Sequence, residues 1–229
     1  IDTPGLLNCL EVSQTWKVLA ENVLIQRWKG KMVQACNRGY LEVVKLLLKH
    51  SDNIDLNARY NCGQTAFIGA CKYGKVQVVK FLLTKPNIEL NTRDDKGWTA
   101  FMWACYNGHK DVVKLLLDQS VSKNINLNVK DNYGRTALMY TWSNGHKDVV
   151  KLLLDQLGSK NIDWNARYNH GRTLFMNVCK SGRKKLSNYS LIIQRKLARV
   201  GSREIRPEKS REIPVNLISR NFREIFGVL

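Results

Sequence analysis

Four seven-residue segments carry nearly the same order of apolar and polar positions: EVVKLLL at 42–48, QVVKFLL at 77–83, and DVVKLLL at both 111–117 and 148–154. Their apolar residues fill a wide stripe at helical spacing, broken once in each copy by Lys45, Lys80, Lys114 or Lys151. This predicts helices whose stripe is a packing face and whose lysine is the solvated edge of that face. The acidic or polar residue that opens each segment falls in the first turn, where the helix dipole favours it. A second, shorter apolar run precedes each segment and ends at a glycine: Gly39, Gly74, Gly108 and Gly145, with a fifth such run ending at Gly182. The glycines are spaced 35, 34, 37 and 37 residues apart. A single helix pair of this kind cannot bury its own apolar face, whereas stacked copies can, so the period predicts an all-α solenoid of helix pairs.

Other residues keep the same register. A threonine recurs at Thr65, Thr99, Thr136 and Thr173, each closing a Gly-x-Thr triplet, and an asparagine stands eight residues earlier at Asn57, Asn91, Asn128 and Asn165. The triplet supplies a glycine for a positive-φ turn and a hydroxyl that can cap the helix after it. Turn, cap, helix and glycine recurring together resemble the ankyrin-repeat family, whose unit of about 33 residues is a β-turn followed by two helices. The resemblance covers about residues 31–182: four copies led by a β-hairpin loop, preceded by one that has only the helices. Two departures stand out. The family's T-P-L-H reads T-A-F-I, T-A-F-M, T-A-L-M and T-L-F-M, and the connection after the second helix is longer than usual by one to four residues.

The resemblance implies a binding surface at the hairpin tips and the exposed end of the first helix, which line a concave face. Carried onto this chain, it marks Asn61, Lys96, Trp98, Tyr133, Arg135, His170 and Arg172 at the tips, and Tyr73 and Tyr106 at helix ends. Just before each tip stands a cation, Arg59, Arg93, Lys130 and Arg167, one per repeat in equivalent places. Aromatic residues and arginine often dominate protein interfaces, and a column of cations favours an acidic partner surface. Trp98 is expected to stand out from the fold, because a large ring in a Gly-x-Thr turn has little core to enter.

Composition narrows the functional classes. The formal net charge is +18, yet tryptophan and tyrosine fall at turns rather than on a stacking platform, which argues against nucleic acid as the partner. No apolar run approaches the ~18–20 residues that span a bilayer, and Ile1–Leu10 lacks the order of a signal peptide. A soluble protein of the cytoplasm or nucleus is expected. None of the six cysteines forms a CxxC pair, and Cys36, Cys71, Cys105 and Cys179 each lie three residues before a repeat glycine. They are expected to be small buried hydrophobes, with no metal or cofactor. The four histidines hold repeat-equivalent or loop positions, and no phosphate loop, paired carboxylates or nucleophile elbow is present, so a non-enzymatic protein is expected, with no catalytic residues and no small-molecule substrate.

The ends follow other patterns. Residues 1–30 place Leu6, Leu7, Leu10, Val12, Trp16 and Leu19 at mostly three-to-four-residue spacing, predicting one or two amphipathic helices. Leu6, Leu7, Val12, Trp16 with Lys17, and Trp28 resemble in their order the second half of an F-box, a module that docks on the Skp subunit of a cullin ubiquitin ligase; its L-P-x-E segment is absent. The alternative is a helical cap on the first repeat. Residues 183–229 carry 12 Lys or Arg against 4 Asp or Glu. With permitted synonymous codons, Lys184–Gln194 read two bases later gives EVVKLLLDHS, matching nine of ten residues in EVVKLLLKHS at 42–51. The basic tail is thus read as a frameshifted fifth repeat, the alternative being a genuine tail whose residues 186–198 form a substitute capping helix.

Overall fold

The computed structural model of the protein describes residues 14–50, 54–156, 162–163 and 166–171. Leu6, Leu7, Leu10, Val12, Arg172, Thr173, Cys179, Gly182 and residues 183–229 lie outside the described residues, as does the side chain of Trp16.

Nine α-helices and no strand are present among the described residues: α1 Gln14–Trp28, α2 Met32–Arg38, α3 Leu41–His50, α4 Ala66–Lys72, α5 Val76–Leu83, α6 Ala100–Tyr106, α7 Lys110–Gln119, α8 Ala137–Asn144 and α9 Lys147–Asp155. After α1 they pair in sequence. The short helices α2, α4, α6 and α8 stack in one row, and the repeated segments α3, α5, α7 and α9 form a second row behind it. Val43, Val44, Leu46 and Leu47 of α3 are buried, as are Val78, Val79, Leu82 and Leu83 of α5, Val112, Val113, Leu116 and Leu117 of α7, and Val149, Val150, Leu153 and Leu154 of α9, while Lys45, Lys80, Lys114 and Lys151 are exposed.

The helix boundaries have local causes. Thr65 and Thr99 sit extended at the helix N-termini, and their Oγ1 atoms accept from the backbone N–H groups of Ile68 and Met102, both at 3.3 Å. The repeat glycines end the inner helices with positive φ; Gly74 and Gly108 have φ of 67° and 72°. They also permit close stacking. A Cβ on Gly74 would meet His109 Nδ1 at 2.7 Å, and one on Gly108 would meet His146 Nδ1 at 2.5 Å.

Those histidines bind the repeats together. His109 Nε2 donates to the Lys72 carbonyl at 2.9 Å, where Asn107 Nδ2 also donates at 3.0 Å. One repeat later, His146 Nε2 and Asn144 Nδ2 donate to the Tyr106 carbonyl at 2.7 and 2.8 Å. The recurring asparagines form a second seam. Asn57 donates to the Asn87 carbonyl and accepts from Glu89 N, each at 2.8 Å; Asn91 makes the same pair with Asn124 and Asn126.

Cys36, Cys71 and Cys105 are fully buried free thiols. Burial pushes the Cys36 and Cys105 thiols up to about 12 and raises Cys71 as well, so all three stay protonated and chemically quiet.

At the amino-terminal side the structure shifts the expected stripe. Leu19 is 53% exposed, and α1 instead buries Ala20, Leu24 and Trp28 against the first repeat. Trp28 packs edge-on to Tyr40 with centroids 5.5 Å apart, under the Arg38 guanidinium. One helix face thus covers the open end of the array.

Candidate protein-binding face

The loop before each of α4, α6 and α8 is a turn rather than a pair of strands. One backbone bond closes it: Tyr60 N to Gln64 O at 2.8 Å, Asp94 N to Trp98 O at 2.9 Å, and Asp131 N to Arg135 O at 2.9 Å. In the two middle turns a buried aspartate does the organising. Asp94 Oδ1 accepts from the N–H groups of Lys96 and Trp98 at 3.0 and 2.8 Å, while Oδ2 accepts from Trp103 Nε1 at 2.8 Å. Asp131 repeats this with Tyr133 N, Arg135 N and the Tyr140 hydroxyl. Burial, and then the Asp131 carboxylate that accepts its hydrogen, raise the Tyr140 hydroxyl well above its ordinary value. The first turn has Tyr60 in place of the aspartate and Gly69 in place of the ring donor. Sequence reading missed this pairing, although it is visible in register: an aspartate at 94 and 131 is matched nine residues on by Trp103 and Tyr140.

Successive turns are joined edge to edge. Asp95 N donates to Cys62 O at 3.1 Å, and Asn132 Nδ2 donates to Asp95 O at 3.2 Å. The cation column lies along this edge, with Arg59, Arg93, Lys130 and Arg167 all exposed. Arg93 Nε donates to Gly97 O at 3.1 Å and Arg167 Nη1 to Gly171 O at 2.8 Å, so each guanidinium is anchored to its own turn. Arg93 also reaches Asn132 Oδ1 at 3.2 Å. Arg59 reaches the equivalent side chain, Asp95, at 3.0 Å, so part of its charge is answered within the chain.

The other marked residues fall into two groups. Asn61, Lys96, Tyr133, Arg135 and His170 are exposed at the tips, and Tyr73 and Tyr106 present rings that are 47% and 37% exposed. Trp98 departs from expectation. It is only 7% exposed, because its ring turns inward onto Trp103, Tyr106 and Tyr140, with centroids 4.5, 4.9 and 4.2 Å away. Trp103 and Tyr140 come from two successive inner helices, and together they supply the core that a single turn lacks. Among the described residues, no group of three or more His, Cys, Asp or Glu could hold a metal ion, and no helix is long and apolar enough to cross a membrane.

Stacked helix pairs joined by laced turns, with one polar and aromatic edge left open, define an all-α repeat protein. The family described as ankyrin repeats (3 copies) matches residues 32–131, 85–168 and 123–193, and this chain belongs to it. Ankyrin repeats bind other proteins. Among curated proteins the chain is similar to the E3 ubiquitin-protein ligase XBAT33 of Arabidopsis thaliana, 47% identical over 49 residues, and to the probable E3 ubiquitin-protein ligase XBOS33 of Oryza sativa subsp. japonica, 45% identical over 49 residues. Each match covers 21% of this chain and 9% of the relative.

Proposed function

We propose that the chain captures a protein with an acidic surface along the edge of the turns, as the substrate-binding part of an F-box and ankyrin ubiquitin-ligase adaptor. The observation that carries the binding face is the cation column, two of whose four members are anchored to their own turns. Arg93 and Arg167 are fixed to their own turns at equivalent positions, and charges held in place lose less freedom on meeting a carboxylate. The ligase context is supported by the names of the two similar plant proteins and by the amino-terminal resemblance to an F-box.

A second reading, a free-standing scaffold or inhibitor, is favoured by Trp28, which is buried as part of the helical cap. Pull-down of a purified Skp subunit by the protein extended upstream of Ile1, and by the same protein lacking residues 1–30, separates the two. Capture that depends on residues 1–30 supports the adaptor; no capture by either leaves the scaffold. Deleting Ser202–Leu229 should change affinity for the captured protein by less than about tenfold, in keeping with the tail as an accident of reading frame.

A further inference from the structure

Within the binding face, two ammonium groups from successive repeats converge on one indole. Lys72 Nζ, from the last turn of α4, lies 4.3 Å from the centroid of Trp103. Lys96 Nζ, from the tip of the next turn, lies 5.8 Å from the same ring and 6.0 Å from Trp98. The ring attracts both cations, and each stays available to an anion. Among the described residues neither lysine is ion-paired to a carboxylate; Asp94 is buried and engaged by three donors, and Asp95 faces Arg59.

Beside the lysines lies an apolar shelf. Tyr106 is 37% exposed and is backed by Trp98, Trp103 and Tyr140 at centroid distances of 4.9, 6.0 and 5.7 Å, so its ring is fixed before any partner arrives. Trp98, Trp103 and Tyr140 are themselves too buried to stack on a ligand, and their rings pack too closely to admit a cationic group between them.

Resting on the reading of this face as protein-binding, we propose that Lys72, Lys96 and Tyr106 form a subsite for an acidic residue flanked by an aromatic one in an extended segment of the partner protein. The carboxylate bridges the two ammonium groups, and the aromatic side chain lies on Tyr106.

The test uses the full chain and a fluorescein-labelled Glu-Glu-Phe-Glu-Glu peptide, followed by anisotropy at low salt. The double variant K72E/K96E should bind at least about tenfold more weakly than the unaltered chain. The outer-face control K45E/K80E, with the same change in net charge, should stay within about twofold. Replacing the peptide's Phe by Ala should weaken binding to the unaltered chain but make no further difference to Tyr106→Ala, as a double-mutant cycle requires. Equal loss in the two double variants, no loss in K72E/K96E, or an indifferent Phe each overturns the subsite, as does tighter binding of an oligodeoxythymidylate at the same residues. If reversal of Arg59, Arg93, Lys130 and Arg167 weakens the peptide while K72E/K96E does not, the subsite alone falls. If neither matters, the reading of the face falls with it. Far-UV circular dichroism of each variant checks that the helices remain.

Discussion

The two helix rows of this array solve different problems. The outer helices α3, α5, α7 and α9 are close copies of one another, and their exposed charges are mixed: Lys110 and Lys114 stand beside Asp111 and Asp118 in α7, and Lys147 and Lys151 beside Asp148 and Asp155 in α9. The inner row and its turns keep the residues that hold the repeat, such as Thr65 and Thr99, but vary at the tips, where Cys62, Lys96, Tyr133 and His170 are equivalent, and carry cations in register. Repetition of the outer sequence marks a face whose work is the same in every copy. Variation on a fixed frame is what the proposed binding face needs in order to fit an irregular partner.

The sharpest break should come in the outer row's core. Leu116→Ala removes a fully buried side chain of α7 and should cost about 2–5 kcal/mol, read by denaturant unfolding. On the inner side, Asp94→Ala leaves the N–H groups of Lys96 and Trp98 and the Trp103 indole without their acceptor, and should cost about 1–3 kcal/mol in the same measurement. Gly108→Ala places a side chain at φ of 72° and against the His146 ring, and should lower stability by about 1–2 kcal/mol.

Alkali should loosen the inner row selectively. Cys36, Cys71, Cys105 and Tyr140 all lie on inner helices, and folding raises each above its ordinary value, which is 9.0 for the thiols and 10.0 for the phenol. A raised folded value means the stabilisation is fully present below the ordinary value and is lost as pH climbs toward the folded one. Melting temperature should therefore fall as pH rises above 9.0, and Cys71→Ala should flatten the fall. Lys114→Ala should be the mildest change, under about 0.5 kcal/mol, because that lysine only borders the packed stripe.

Much of this frame was legible in the sequence, because its causes are local. Helical spacing identified the outer stripes, and the Gly-x-Thr triplets located the turns and the caps at Thr65 and Thr99. What escaped depended on contacts a repeat away. Asn57 recurs in register, but its partners Asn87 and Glu89 lie on the next connection, thirty and thirty-two residues on. Within its own turn Trp98 has little core to enter, whereas Tyr140, which covers it, belongs to the following repeat. The three-to-four-residue spacing puts Leu19 on the packing stripe of α1, yet Ala20, Leu24 and Trp28 make up that stripe once the first repeat is in place.

The same fold supplies its own control for the central claim. Arg59, Arg93, Lys130 and Arg167 form one column of four equivalent cations along the turns, and Lys45, Lys80, Lys114 and Lys151 form another on the outer helices. Changing either set to glutamate shifts the net charge equally, so affinity for a labelled polyglutamate peptide, measured by anisotropy, separates position from total charge. The turn column should lose more than about tenfold in affinity with helicity intact, while the outer column stays within about threefold. Equal losses from the two columns, or a greater loss from the outer one, would contradict the assignment of binding to the edge of the turns.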